Sequence, residues 1–360
     1  MERNGFRAMI AMSGGVDSSV AALLMKQANY DCVGATMRLY RPAAFQNDNP
    51  KGCCSDLDED DAAFVCCQLG IPHESICFSR RFEEQVIGKF IREYEAGRTP
   101  NPCVDCNRFL KFDALLRYAL REGYDCVATG HYARVGYDET TGRRQLRKGV
   151  DESKDQSYVL YMLSQEQLSH LRLPLGELHK DEVRRIAQAQ GIITARKRDS
   201  QDICFLPDGD YAAFIERWTG RRQEAGDFLD GNGLVVGRHR GALRYTTGQR
   251  RGLALSTGSR MYVVEKDMAR NTVTVGPEAA LYCRELTATD FNWLSIPEPV
   301  APIRAAVRTR YRQTESPATV YPLSPDKNRI VFDEPQRAIT PGQALVLYDG
   351  ETVLGGGVLI

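Results

Sequence analysis

The sequence lacks the features that would set the chain apart from ordinary globular proteins. It has no apolar run near the ~18 residues that span a bilayer, and its start, Met-Glu-Arg-Asn-Gly, lacks the charged-then-apolar pattern of a secretory signal. It also lacks an excess of either charge, since 47 Lys and Arg residues balance 47 Asp and Glu residues. These absences exclude a polycationic nucleic-acid coat, and we expect a cytoplasmic protein without a membrane span.

The composition is that of a chain that can fold around apolar cores. Apolar residues make up 42% of the 360 residues and charged residues 26%, which is far from the composition of disordered chains. At roughly 100 to 200 residues per domain, the length predicts two or three compact units.

The cysteine count argues against a disulfide scaffold. Eleven is an odd number, and a large chain without an export signal is expected to keep its thiols reduced. Four cysteines lie in strand-like or helical runs and are expected to pack in the core: Cys32, Cys66, Cys67 and Cys126. Three others lie among Gly, Pro, Asn and Asp, which is typical of loops: Cys103, Cys106 and Cys204.

Strand-like and helical stretches alternate up to about residue 205. The predicted strands are 8–12, 32–37, 73–78 and 125–129, and the predicted helices are 17–28, 56–69, 80–95, 107–121 and 181–190. This alternation predicts an α/β domain with a parallel sheet, helices on both faces, and a ligand site at the carboxyl ends of the strands.

The pattern changes after a helical stretch at 212–218. Asp230-Gly231-Asn232-Gly233 predicts a hairpin, and short β-rich runs separated by turns follow. We therefore divide the chain into a catalytic domain (1–210), a small central β-rich domain (211–285) and a C-terminal domain (286–360) with the strand spacing of a small barrel or sandwich.

A glycine-rich turn lies between the first predicted strand and helix. Backbone amides of Gly14 and Gly15 can approach an anion closely, the hydroxyls of Ser13, Ser18 and Ser19 add donors, and the helix N-terminus favours phosphate. It is not a Walker A loop. The motif Ser-Gly-Gly-Val-Asp-Ser-Ser resembles the pyrophosphate loop (PP-loop) of adenine nucleotide hydrolase-like enzymes, which cleave ATP to AMP and pyrophosphate. Asp17 either helps to hold Mg²⁺ or caps the helix.

Further motifs narrow the resemblance. In order along the chain they are Gly97-Arg98-Thr99-Pro100-Asn101-Pro102-Cys103-Val104-Asp105-Cys106-Asn107, Ala128-Thr129-Gly130-His131-Tyr132-Ala133, Lys154-Asp155-Gln156-Ser157-Tyr158, Asp199-Ser200-Gln201-Asp202-Ile203-Cys204-Phe205, Thr247-Gly248-Gln249-Arg250, Arg308-Thr309-Arg310-Tyr311-Arg312 and Thr340-Pro341-Gly342-Gln343. Over essentially its whole length, the chain resembles the tRNA-specific 2-thiouridylase family (the MnmA type).

The resemblance implies thiolation of the wobble uridine in tRNA anticodons. ATP with Mg²⁺ would adenylate the 2-oxygen of uracil, and sulfur would replace that oxygen. The implied ATP-binding residues are Ala11, Met12, Ser13, Gly14, Gly15, Val16, Asp17, Ser18, Ser19, Met37 and Gly130. The implied partners are tRNA and, as sulfur donor, a cysteine desulfurase or sulfur-relay protein.

The resemblance also implies the sulfur chemistry. Cys106 matches the nucleophile position, Cys204 matches the cysteine that accepts a persulfide, and the two can form a disulfide during the cycle. Cys106 stands just before the predicted helix at 107–121, and a helix N-terminus favours a thiolate.

Cys103 replaces an Asp of one well-known version of the motif, which puts a general-base role for that position in doubt. Other members of the family resemble this chain in carrying Cys-x-x-Cys with a distant third Cys. Cys103, Cys106 and Cys204 could then hold a [4Fe-4S] cluster with one open iron, so a persulfide route and a cluster-bound sulfide route both stay open. Cys53 and Cys54 are interpreted as loop structure, with a persulfide relay as the alternative.

The implied RNA contacts suit a base drawn from a single-stranded loop. They are Asn101, Pro102 and Cys103 at the target base, and His131, Lys154, Asp155, Gln156, Arg310, Tyr311 and Gln343 elsewhere on the tRNA. Independently, Arg304, Arg308, Arg310 and Arg312 occupy even positions, so an extended strand would present them on one face as a phosphate-binding row. Two alternatives remain: an amide-forming PP-loop ligase, and a noncatalytic RNA- or metal-binding protein.

Overall fold

The computed structural model describes residues 5–39, 56–199, 203–206, 208–256 and 258–360. Cys53, Cys54 and residues 200–202 of the Cys204 motif lie outside these ranges. Within them, no helix has the length and apolar character needed to cross a membrane.

The described residues form seventeen strands. In chain order they are β1 (Arg7–Ala11), β2 (Asp31–Arg38), β3 (His73–Cys77), β4 (Cys126–Ala128), β5 (Ala133–Asp138), β6 (Arg143–Lys148), β7 (Leu171–Arg172), β8 (Gly226–Leu229), β9 (Val235–His239), β10 (Tyr262–Asp267), β11 (Thr272–Gly276), β12 (Tyr282–Trp293), β13 (Ile303–Arg308), β14 (Ser316–Ser324), β15 (Lys327–Arg337), β16 (Ala344–Asp349) and β17 (Thr352–Leu359).

The α-helices of the same ranges are α1 (Val16–Gln27), α2 (Asp56–Leu69), α3 (Ser79–Phe82), α4 (Gly88–Glu95), α5 (Pro102–Asp105), α6 (Leu116–Arg121), α7 (Gln165–Ser169), α8 (Lys180–Ala189) and α9 (Tyr211–Thr219). A π-helical segment, Glu83–Ile87, joins α3 to α4, and another, Cys106–Leu115, joins α5 to α6. The predicted helices 56–69 and 80–95 are confirmed to within one residue.

The first sheet has five strands in the order β3-β2-β1-β4-β7, all parallel. Ala8 and Ile10 of β1 pack into one apolar cluster, and Met9 packs into a second. Because successive side chains of a strand point to opposite faces, these clusters lie on opposite faces of the sheet. The predicted α/β domain with a doubly covered parallel sheet is confirmed.

Two β-rich units follow. Strands β10, β11, β8 and β9 form a four-stranded sheet, which contains the predicted Asp230-Gly231-Asn232-Gly233 hairpin between β8 and β9. Strands β12, β15, β14, β13, β16 and β17 form a closed barrel, because β12 pairs with both β15 and β17. The predicted barrel-like C-terminal domain is confirmed.

The barrel receives two strands from far upstream. The β5–β6 hairpin extends the barrel sheet, with Arg147 and Leu146 of β6 opposite Thr352 and Val353 of β17. The catalytic domain and the barrel therefore share a sheet, a pairing that the sequence does not indicate.

The cysteines expected in the core divide into two groups. Cys32, Cys66 and Cys126 are buried, and burial raises the pKa of these thiols to about 11, 12 and 11 respectively. Cys67 is exposed, so its predicted core position is wrong: the buried face of α2 at this point is occupied by Val65, Cys66 and Leu69.

Candidate active site

The glycine-rich turn leads from β1 into α1 as predicted. Gly14 has φ +67°, and a Cβ on it would lie 2.2 Å from the backbone oxygen of Asp58. A residue with a side chain would meet both the left-handed strain and this contact. Gly15 is the extended residue before the first turn of α1, so the turn presents backbone amides at a helix N-terminus, where anions bind.

The serine hydroxyls of the turn have different surroundings. Ser13 is exposed, and its backbone N–H and hydroxyl both contact the Ser18 hydroxyl oxygen at 3.2 Å. The Ser19 hydroxyl is fully buried, donates to the Gly15 carbonyl (2.8 Å) and contacts Thr194 (2.9 Å). Ser19 therefore holds the shape of the loop, whereas Ser13 is placed to meet a ligand.

Asp17 contacts a cation instead of capping α1. Its two carboxylate oxygens accept hydrogen bonds from the Lys180 ammonium at 2.7 and 2.8 Å, and one also accepts from the Tyr132 hydroxyl at 2.7 Å. No side chain of the loop caps α1. The Lys180 ammonium also lies 2.9 Å from Asp199, so it joins the turn to the start of the segment that leads to Cys204.

Two lysines of this site are not singled out by the sequence. Lys180 is 7% exposed, and the Lys197 ammonium contacts the Gly14 carbonyl (2.9 Å) and the carboxylates of Asp58 and Asp61 (both 2.6 Å). One signal for Lys180 is its place as the first residue of α8, where the helix dipole disfavours a cation. Lys197 has no comparable signal.

Asp199 is the acceptor for several cations. Burial acts to raise its pKa, but hydrogen bonds from Lys154 and Lys180 outweigh burial and lower the pKa to about 2. Arg184 adds a further contact at 2.8 Å. Lys154, which the resemblance implies as an RNA contact, thus lies in the cation network beside the pyrophosphate loop.

The other predicted nucleotide positions lie around this loop. A Cβ on Gly130, just beyond β4, would come within 2.9 Å of the Ser18 nitrogen. Met12 is buried and its N–H donates to the Ala35 carbonyl on β2. Met37 is buried in the cluster that contains Met9. Ala11 and Val16 complete the end of β1 and the start of α1.

The first cysteine motif forms a helix that begins earlier than predicted. Asn101 precedes it, and the Asn101 side chain accepts a hydrogen bond from the Cys103 N–H at 3.2 Å. Pro102 is the first helical residue, a position that suits proline. Cys106 therefore lies one turn inside a helical segment that continues to Arg121, and the prediction that it stands just before a helix is wrong.

Cys106 and Cys204 lie on the same face of the parallel sheet. Both are half-buried and pack against the apolar cluster that includes Phe90 and Phe205. Cys103 is exposed. In the described ranges, no three His, Cys, Asp or Glu side chains are grouped so as to hold a metal ion.

His131 is buried beside the first cysteine helix. Its Nδ1 contacts the Thr129 hydroxyl at 2.8 Å, and its ring lies 5.8 Å from that of Phe112. Burial, with a smaller effect from Lys111, lowers its pKa well below the usual range. The ring is therefore neutral near pH 7, and it would meet RNA as a hydrogen-bonding group without charge.

Most of the remaining residues implied as RNA contacts lie between the catalytic domain and the barrel. Buried Asp155 accepts from the Ser157 hydroxyl (3.0 Å) and from Arg308 (3.3 Å), and its carbonyl accepts from the Tyr311 hydroxyl (3.2 Å). Gln156 accepts from the Tyr132 N–H at 3.0 Å. Asp155 therefore connects the catalytic domain to the barrel through Arg308 and Tyr311, whereas the Gln156 contact lies within the catalytic domain.

The predicted phosphate-binding row of arginines is wrong as a continuous face. Strand β13 ends at Arg308, and Arg310 and Arg312 lie in the following turn. Arg304 forms two hydrogen bonds with Asp333, at 2.7 and 2.6 Å, and Arg308 contacts Asp155 and Glu315. The sequence placed only Glu315 near the row, because Asp155 and Asp333 are distant along the chain.

Three family models match the chain in succession. They are described as a tRNA methyl transferase HUP domain (residues 6–208), a tRNA methyl transferase PRC-barrel domain (212–277) and an aminomethyltransferase beta-barrel domain (283–359).

Curated relatives match over nearly the full length. The tRNA-specific 2-thiouridylase MnmA of Acetivibrio thermocellus is 47% identical over 98% of this chain and 99% of its own length. That of Clostridioides difficile is 46% identical over 98% of each chain. With a pyrophosphate loop and two cysteines over one parallel sheet, the chain belongs to the tRNA-specific 2-thiouridylase family.

Proposed function

We propose that this chain is a tRNA-uridine 2-sulfurtransferase that uses ATP to thiolate the wobble uridine of tRNA anticodons. The observation that carries the proposal is the presence, on one parallel sheet, of the pyrophosphate loop and of two cysteines packed against the same apolar cluster. An enzyme that first activates an oxygen and then replaces it with sulfur needs both parts.

The pyrophosphate loop serves the activation step. The uracil 2-oxygen attacks the α-phosphorus of ATP, and the bond to the departing pyrophosphate breaks. The loop amides at the N-terminus of α1 would balance the charge of that leaving group. Lys180 and Lys197 are paired with carboxylates and support the shape of the loop. Asp17 is the loop carboxylate that would hold Mg²⁺, in exchange for the Lys180 ammonium that both its oxygens contact, and Mg²⁺ neutralises phosphate charge when bound.

The cysteines serve the substitution step. With a persulfide on Cys204, its outer sulfur bonds to C2 of the adenylated uridine. The Cys106 thiolate then attacks the Cys204 sulfur, which leaves a Cys106–Cys204 disulfide and the new sulfur on the base, while AMP departs with the former 2-oxygen. Reduction of the disulfide by a thiol donor restores the enzyme. Cys103, at the exposed N-terminal turn of α5, faces the region where the base would enter.

The anticodon loop would be held close to this helix. Asn101, Pro102 and Cys103 form its N-terminal end, and an unstacked base can enter there at low cost. His131 supplies a neutral ring nearby. A cysteine desulfurase or sulfur-relay protein would load Cys204.

The test is to replace Cys106 or Cys204 with Ser and to measure 2-thiouridine in tRNA and AMP release in the same reaction. We expect both variants to lose thiolation. C67S is the matched control, because Cys67 is exposed and far along the chain from both motifs. Retained thiolation in C106S or C204S would refute the cysteine roles and favour the amide-forming ligase, in which ammonia or an amine attacks the adenylate.

Anaerobic purification followed by iron and labile-sulfide analysis tests the persulfide against a bound cluster. We expect less than stoichiometric iron and a persulfide on Cys204 by mass spectrometry. About four irons per chain, lost in C103S, C106S and C204S, would refute the persulfide route.

A further inference from the structure

A turn of the C-terminal barrel is hydrogen-bonded to the segment that precedes the first cysteine helix. The Gln343 side-chain amide donates to the Thr99 carbonyl at 2.7 Å, and the Thr99 N–H donates to the Pro341 carbonyl at 2.8 Å. Both backbone groups of Thr99 are thus held by residues more than 240 positions later in the chain.

Gly342 lets this turn come very close. It has φ +88°, and a Cβ on it would lie 2.8 Å from the Thr99 nitrogen and 2.9 Å from the Arg98 Cβ. Any side chain there would push the turn away from Thr99. The backbone of the turn at Gly342 is therefore packed directly against the backbone of Thr99.

The turn is itself supported from within the barrel. Arg310 donates to the Ala338 carbonyl and to the Thr340 hydroxyl, the latter at 2.9 Å. Arg310 is partly buried in this position. Two residues implied by resemblance as RNA contacts, Arg310 and Gln343, are in this structure parts of a contact between domains.

Thr99 lies just before the start of the cysteine helix. Only Pro100 separates it from Asn101, whose side chain accepts from the Cys103 N–H, and Cys106 follows one turn later. A cavity of about 360 Å³ lies beside the start of this helix, and Asn101, Val104, Leu359 and Ile360 are among the residues that line it. Because of that cavity, the start of the helix has room to shift if the hold on Thr99 is lost.

We propose that Gln343 is a positioning residue that fixes the cysteine helix, and through it the orientation and reactivity of the Cys106 thiol. The inference rests on the proposed role of Cys106 in thiolation. It differs from a direct RNA-contact role for Gln343, since it predicts an effect on Cys106 when no RNA is present.

The test compares Q343E and Q343M with Q336E. Both Gln343 variants remove the N–H donor, and Q343M does so without adding charge, which keeps the test valid if Q343E fails to fold. Gln336 contacts Gln313 and Ser316 within the barrel, so Q336E makes the same chemical change away from Thr99. The readouts are the pH-dependent alkylation rate of Cys106 by iodoacetamide in the RNA-free protein, the single-turnover thiolation rate, and the tRNA Kd.

We expect Q343M to slow single-turnover thiolation about tenfold, as for loss of one hydrogen bond to a partly buried carbonyl. It should also shift the alkylation profile of Cys106, while the tRNA Kd changes less than twofold. A tenfold weaker Kd with an unchanged alkylation profile would overturn the proposal in favour of an RNA contact, and three unchanged readouts would overturn it outright. If C106S retains thiolation, the proposed function fails instead, while the alkylation profile still reports on positioning.

Discussion

The pyrophosphate loop leads into α1, and the segment 97–101 leads into the first cysteine helix. The residues that hold these two segments in place lie at different distances along the chain. In the loop, Ser18 and Ser19 donate to the Gly15 carbonyl three and four residues away. The segment before the cysteine helix is held by Pro341 and Gln343 of the barrel. The loop therefore has hydrogen bonds within its own five residues as well as contacts from Asp58, Lys180 and Lys197, whereas the segment before the cysteine helix is held from the barrel.

The largest expected effect tests how tightly the loop fits against the rest of the chain. In G14A, we expect AMP release to fall about 100-fold or more, because left-handed strain of about 1–3 kcal/mol adds to displacement of the loop by the Asp58 backbone. G191A is the control, since Gly191 also has positive φ but a Cβ on it would meet no atom within 4 Å. The measurement is the rate of AMP release in G14A and G191A, and equal rates in both variants would contradict a tightly fitted loop.

The next prediction tests whether Lys180, which is distant along the chain, supports the pyrophosphate loop. In K180M, we expect kcat/KM for ATP to fall roughly 10- to 100-fold, as for loss of a charge-assisted contact worth about 1.5–3 kcal/mol. K327M, a change at an exposed lysine of the barrel, should leave it unchanged. Steady-state kinetics at varied ATP measures this, and a loss confined to the tRNA KM would show that Lys180 acts elsewhere.

A smaller effect compares two arginines of the barrel. Arg308 has a side chain 18% exposed beside Asp155, whose side chain is 2% exposed, while Arg304 and Asp333 are about half exposed. We expect R308M to lower the free energy of unfolding by about 2 kcal/mol, because a buried carboxylate loses its partner. R304M should cost only about 0.5 kcal/mol, as is usual for surface pairs. Urea titrations measure both, and equal losses would contradict the assignment.

In tRNA binding, these two arginines should also matter little. Since each already pairs with a carboxylate, we expect the double variant R304M/R308M to leave the log-log salt slope of tRNA binding nearly unchanged. If both arginines contacted phosphates, the slope would fall by about two units, at ~0.9 per contact. Filter binding between about 50 and 200 mM salt distinguishes the two.

The smallest expected effect is the loss of stability at acidic pH that Asp199 causes. The pKa of Asp199 is lowered to about 2 in the folded protein, below its unfolded value of about 3.9. Because the pKa is lower in the folded protein, the contribution of the Asp199 carboxylate to stability is complete above pH ~4 and is lost as the pH falls toward ~2. We expect the wild-type urea midpoint to fall more steeply than that of D199N between about pH 4 and pH 2.5. Parallel midpoints would contradict the cation network around Asp199.

Elements fixed by neighbouring residues were predictable. Strand β1 and helices α1 and α2 match the sequence to within one residue, because a short apolar run before a Gly-Gly turn indicates a buried strand and the longer stretches have the length of helices. The glycine turn was predictable for the same reason, since strand, Gly-Gly and helix are adjacent. The start of the cysteine helix was missed, although Asn before Pro is a helix-start signal, because proline and asparagine are equally typical of loops.

Partners distant along the chain were not predictable. Arg304 and Arg308 lie on β13 as expected, but nothing in that stretch shows that Asp333 and Asp155 will neutralise them. Lys180 and Lys197 reach the loop only through the packing of α8 and the residues after it. Side-chain pairing of this kind depends on tertiary structure, so a sequence motif identifies a charged residue but not the side chain that pairs with it.

The shared sheet has a consequence for how the protein is made. Strand β6 emerges from the ribosome more than 200 residues before β17, its neighbour at Thr352 and Val353. During that interval its outer edge is an open row of backbone donors and acceptors, the kind of edge that recruits other chains. A chain truncated before β17 would keep that edge exposed permanently, so even the loss of this one late strand should cause the nascent catalytic domain to aggregate.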